Sequence, residues 1–196
     1  MEKFRSICVY CGSSTGRGST FTKAAIELAE YLVAEGCRLV NGGGSIGLMG
    51  VMTNRILELG GEAIGVIPMS LKVREVAHLG MTELIVVPDM HSRKLTMVNL
   101  SDAFICLPGG FGTLDELFET LTWSQLYLHR KPIGILNVDG FFDPLLQMLS
   151  RMVQENFLKA EARALLHTHE EIPALFEKLY SPSKYNSQKW DTEPAD

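Results

Sequence analysis

The run Ala103-Phe104-Ile105-Cys106-Leu107-Pro108-Gly109-Gly110-Phe111-Gly112-Thr113-Leu114-Asp115-Glu116 decides the fold. Five apolar residues in succession read as a strand covered on both faces, because a strand with one wet face would alternate apolar and polar. Pro108-Gly109-Gly110 closes it, and Leu114–Leu128 reads as a long helix. Strand, glycine turn and helix in that order make the repeating unit of a parallel sheet.

The unit recurs on both sides. Upstream, strands are predicted at Ser6–Tyr10, Arg38–Val40, Ala63–Ile67 and Leu84–Val87, with helices at Thr22–Glu35, Leu48–Leu59 and Arg93–Leu100. Downstream, Ile133–Asn137 is a sixth strand and Leu165–Thr168 a short seventh, with helices at Phe142–Glu155 and Pro173–Tyr180. The expected fold class is α/β: a Rossmann-like, doubly wound parallel sheet of six or seven strands, with helices on both faces and right-handed crossovers. The 196 residues suit one catalytic domain over 1–180, with 181–196 expected as a weakly ordered tail.

Composition narrows the function classes. The net charge of −5 argues against a nucleic-acid partner, which needs a basic face, but leaves room for a single phosphate. No apolar stretch reaches the roughly 20 residues of a membrane span, and Met1–Arg5 is charged, so no membrane partner and a cytoplasmic location are expected. Cys8, Cys11, Cys37 and Cys106 lie in or beside apolar runs and read as structural thiols in a reducing compartment.

In such a sheet the ligand lies beyond the carboxyl ends of the strands, so the loops there carry the chemistry. Cys11-Gly12-Ser13-Ser14 offers small residues and hydroxyls, or is simply a tight strand-to-helix turn. Gly42-Gly43-Gly44-Ser45-Ile46-Gly47-Leu48-Met49-Gly50 frees the backbone to present N–H groups toward a helix start. It lacks the Gly-Lys-Ser/Thr of a Walker loop, and it follows the second strand where a dinucleotide fingerprint would follow the first. The quoted run places Gly110, Gly112 and Thr113 at a helix start suited to a phosphate. Thr113 and Glu116 also fit a capping box, as N-cap and N3. Met90-His91-Ser92-Arg93-Lys94 sets two cations at a predicted helix start, against the dipole, which points to an anionic partner or to a solvated basic pair. Asp89 and Asp102 are too isolated to form a metal set; no metal and no cofactor are expected.

Four segments together resemble the motifs of the LONELY GUY-type cytokinin riboside 5′-monophosphate phosphoribohydrolases. Pro108–Glu116 matches P-G-G-x-G-T-x-x-E, Met90–Lys94 matches M-H-x-R-K, Gly42–Gly50 matches G-G-G-x-x-G-L-M-G, and Cys11–Ser14 matches the opening loop. Some relatives carry an old lysine decarboxylase label. The resemblance covers about Ser6 to Phe157. It implies a homodimer that hydrolyses cytokinin ribotides, and often AMP, to free base and ribose 5-phosphate. By position it implies Arg93 and Glu116 as the catalytic pair. It implies substrate contacts from Glu75, Arg93, Lys94, Gly109, Gly110, Phe111, Gly112, Thr113, Leu114, Asp115, Glu116 and Thr122. Candidate further contacts are Gly12, Ser13, Gly43, Gly44 and Met49. Phe111, Asn41 and Asp115 stand where the family commonly has Tyr, Tyr and Glu. The expected mechanism has an ionised Glu116, favoured by the helix N-terminus, beside the sugar, with Glu119 a second acid or a rim residue. The alternative is a carrier or sensor of the same fold that binds a nucleotide or cofactor without turnover.

Overall fold

The computed structural model describes residues 3–72 and 77–181. Seven strands form one parallel sheet: β1 (Ser6–Tyr10), β2 (Arg38–Asn41), β3 (Ala63–Pro68), β4 (Glu83–Val87), β5 (Ala103–Cys106), β6 (Ile133–Leu136) and β7 (Leu166–His169), in the order β4-β3-β2-β1-β5-β6-β7. The order runs outward from β1 to β4, then restarts at β5 on the other side of β1. The junction of β1 and β5, where Tyr10 pairs with Cys106, is therefore the topological switch point, and the crevice beyond it is where a ligand fits.

The continuous apolar runs alternate faces as the pleat requires. Ile7, Val9, Leu39, Ile105 and Leu136 pack under α1 (Thr20–Ala34), α2 (Gly47–Glu58) and, as the last described helix, α8 (Ile172–Tyr180). Cys8, Tyr10, Val40, Ile64, Phe104 and Ile135 pack under α4 (Met90–Leu100), α5 (Phe111–Gln125) and α6 (Asp143–Gln154). Two short helices, α3 (Met69–Lys72) and α7 (Ala160–Arg163), escape the sequence reading because one helical turn is too short to show a period. All four cysteines are free and buried. Among the described residues no helix is long and apolar enough to cross a membrane. Apart from Ser181, the expected tail lies outside the described residues.

Two helix starts differ from expectation. α4 begins at Met90, and Asp89 caps it by accepting from the Ser92 N–H at 2.8 Å. Arg93 is thus a turn inside the helix, its own N–H already bonded to the Asp89 carbonyl, and the conflict with the dipole disappears. α5 begins at Phe111 with Gly110 as its N-cap, so the Thr113–Glu116 capping box does not exist. The helix starts early because nothing after Gly110 departs from helical geometry, and Thr113 turns inward, buried against Gly109.

Candidate active site

The crevice over β1 and β5 is built from three turns. The Gly12 N–H donates to the Pro108 carbonyl at 3.0 Å, and the Gly12 carbonyl accepts from the Leu48 N–H at 3.0 Å. The turn after β1 is thereby tied to those after β5 and β2. Gly47, at φ +65°, has no room for a side chain because the Ser13–Ser14 backbone lies on it. Gly43, at φ +74°, donates to the Asn41 side chain at 2.8 Å and accepts from the His78 N–H at 2.9 Å. Gly12 and Gly43 therefore direct their backbone bonds into the protein, whereas Ser13 is exposed. Met49 packs over Gly42 and Gly44.

Past Gly109, which is packed against Thr113 and Gly12, the turn after β5 opens where the others stay packed. Gly110 and Gly112 are exposed, with nothing within 4 Å of where a side chain would begin, and Phe111 is 94% exposed. The first N–H groups of a helix have no partner within it. They carry the positive end of the α5 dipole beside this exposed stretch, which favours a phosphate.

Arg93 and Glu116 meet beside this opening. The Arg93 Nη1 lies 3.2 Å from the Glu116 Oε1, with both side chains 11% exposed. Arg93 is fixed by two backbone carbonyls of neighbouring strand segments, one within β3 and one just past β2: its Nε donates to Val66 at 3.0 Å and its Nη2 to Gly42 at 3.3 Å. A side chain at Gly42 would overlap the guanidinium, so this glycine makes room for arginine. Glu116 is the sixth residue of α5, beyond the first turn where a dipole acts strongly. The expected cause of its ionisation is corrected accordingly: Arg93 holds the negative charge, while burial pushes the carboxyl above its ordinary value.

Beside this pair, Lys94 reaches Asp115 at 2.8 Å and Glu119 at 3.2 Å. Glu119 is therefore engaged with a cation. These hydrogen bonds raise the lysine's affinity for its proton against an opposing burial effect. Lys94 is thereby engaged as the ion-pair partner of two carboxylates on α5.

The structure brings together Arg93, Lys94, Asp115, Glu116 and, at the switch point, Gly109 through Thr113. Leu114 packs into the core beneath them. Thr122 is exposed farther along α5, its hydroxyl donating to the Phe118 carbonyl. Glu75 lies outside the described residues. Sequence reasoning did not find the Val66 and Gly42 carbonyls that orient Arg93; backbone acceptors so far along the chain leave no residue-type signal.

Comparison with known proteins follows the same lines. Residues 49–179 match the family model described as "Possible lysine decarboxylase". The chain is 47% identical over 194 residues to a cytokinin riboside 5′-monophosphate phosphoribohydrolase of Oryza sativa subsp. japonica, covering 98% of this chain and 80% of that protein. It is 46% identical over 178 residues to one of Arabidopsis thaliana, covering 91% and 84%. Among solved structures, a molybdenum cofactor binding protein of Rippkaea orientalis superposes with a TM-score of 0.65 at 24% identity, covering 91% of this chain and 96% of that one. That likeness is one of fold.

Proposed function

This chain belongs to the cytokinin riboside 5′-monophosphate phosphoribohydrolase family, and from that premise we propose that it hydrolyses the N-glycosidic bond of cytokinin riboside 5′-monophosphates and of AMP, releasing free base and ribose 5-phosphate. The observation that carries the reading is the buried Arg93–Glu116 pair at 3.2 Å, set beside the bare helix start at Gly110–Thr113.

The chemistry fits these groups. Cleavage passes through a sugar with oxocarbenium character, which a carboxylate beside the anomeric carbon stabilises. The N–H groups at the start of α5 hold the 5′-phosphate, fixing the ribose against Glu116. Glu116 stabilises the cationic sugar and orients the attacking water. Burial raises its affinity for protons above the ordinary carboxylate's, against the pull of the Arg93 charge. Arg93 keeps the carboxylate in place and polarises the reacting centre; with a pKa above about 12 it is no proton donor.

The same reading makes the chain a homodimer. Leu95 on α4, and Leu126 and Leu128 just past α5, are 51%, 53% and 69% exposed, and a second copy would cover them; sedimentation velocity tests this. Incubation with AMP and with isopentenyladenosine monophosphate, followed by chromatography, tests the reaction. Free base and ribose 5-phosphate are expected from both, unaffected by EDTA. Glu116→Gln lowers the rate at least roughly 100-fold with a melting temperature close to the parent's. Nucleotide bound without release of base contradicts the proposal.

A further inference from the structure

The proposed reaction needs Glu116 at a fixed place on α5, and one residue of the same helix is held from three directions. Thr120 lies one turn beyond Glu116 and is 2% exposed. Its hydroxyl lies 2.8 Å from the Glu116 carbonyl and 2.8 Å from the Tyr10 hydroxyl. A threonine hydroxyl has a single hydrogen. A carbonyl can only accept, so that hydrogen goes to Glu116, and Tyr10 donates to Thr120. The Thr120 carbonyl in turn accepts from His129 at 3.0 Å. The other ring nitrogen of His129 accepts the Lys131 N–H at 3.2 Å, which leaves the ring proton on Nε2, facing Thr120. Both aromatic partners rest on Phe104 of β5. Tyr10 stacks on it at 5.9 Å between centroids and His129 tilts over it at 5.5 Å.

Tyr10 ends β1 at the switch point, so this chain of bonds ties the sheet to the turn of helix that carries the carboxylate. Packing alone needs none of it: phenylalanine would fill the Tyr10 site without a buried hydroxyl to satisfy. We propose that Tyr10 is a positioning residue for Glu116, acting through the Thr120 hydroxyl to set the pitch of α5 so that the carboxylate meets Arg93. The inference rests on the hydrolase reading above.

Tyr10→Phe, Thr120→Val, Thr120→Ser and the double variant Tyr10→Phe/Thr120→Val test it, with kcat and KM on AMP and an NMR titration of the Glu116 carboxyl carbon. Tyr10→Phe is expected to lower kcat roughly 3-fold and Thr120→Val roughly 10-fold, the sizes of one and two ordinary hydrogen bonds, with KM within about twofold of the parent. The double variant is expected to be no worse than Thr120→Val, because both act through one hydroxyl. Thr120→Ser restores the rate. The Glu116 titration midpoint rises in Tyr10→Phe and Thr120→Val as the contact with Arg93 loosens. Unchanged kcat and an unchanged Glu116 titration in Tyr10→Phe overturn the proposal, whatever happens to the melting temperature. If Thr120→Val does not fold, Tyr10→Phe alone decides. If the parent protein releases no base, the hydrolase reading fails, and the titration still decides whether Tyr10 positions Glu116.

Discussion

The turn after β2 and the turn after β5 look alike in sequence: each is glycine-rich and each opens a helix. In the folded chain they do opposite things. Gly42 makes room for the Arg93 guanidinium, Gly47 for the Ser13–Ser14 backbone and Gly50 for the Ser45 carbonyl. These glycines let protein approach protein. Gly110 and Gly112 meet nothing within the chain, so their lack of side chains leaves space for something outside it. A glycine-rich loop is thus an ambiguous signal until the space around each glycine is known; under the proposed reaction, that space suits one turn to supporting Arg93 and the other to receiving the phosphate.

Alanine placed in each turn separates the two roles. Gly42→Ala drives a methyl group into Arg93 and is expected to cost about 1–3 kcal/mol of stability, the range for an overpacked core. Turnover should fall roughly 100-fold through displacement of the guanidinium. Thermal melts and AMP hydrolysis measure both, and a parent-like rate would break the assignment of Gly42 to Arg93. Gly112→Ala should do the reverse to stability. Its backbone is helical and its surroundings are empty, so alanine stabilises by up to about 1 kcal/mol. The new methyl would intrude on the proposed phosphate site, and KM is expected to rise roughly tenfold, about 1.4 kcal/mol of binding. A higher melting temperature with unchanged KM would show that the open turn receives nothing.

The smallest effect concerns pH. Burial raises the Glu116 carboxyl above its ordinary value. The folded chain therefore holds this proton at pH values where the unfolded chain has lost it, and stability falls as pH rises through that window. The parent's stability relative to Glu116→Gln should decline from the ordinary carboxylate range upward, measured by denaturant melts at several pH values. The acid limb of kcat/KM should sit above the ordinary glutamate value and vanish in Glu116→Gln. A limb at the ordinary value would mean that Glu116 is less buried during catalysis.

Much of this was legible in the residues. Six of the seven strands lie where the apolar runs are, because a strand covered on both faces admits few polar residues; β7, Leu166-His167-Thr168-His169, is the polar exception at the sheet edge. Arg93 and Glu116 could be named from their motifs. What could not be read was why they meet. The Thr113–Glu116 spacing matched a capping box, yet Gly110 caps the helix three residues earlier. Arg93-Lys94 read as the start of a helix, yet Asp89 starts it before them. Both errors concern ends, where a side chain's partner depends on a neighbouring turn. The Arg93 bonds to Val66 and Gly42 cross 27 and 51 residues of chain, and Tyr10 reaches Thr120 across 110; only the folded sheet brings these groups within reach.

The most direct test of the account is a crystal structure of Glu116→Gln, slowed in turnover, grown with AMP. The account predicts the 5′-phosphate on the N–H groups of Gly110–Thr113, with the ribose C1′ beside residue 116 and Arg93 within contact of the site. A phosphate bound elsewhere, at the Gly42–Gly47 turn for instance, or a ribose turned away from residue 116, would contradict it.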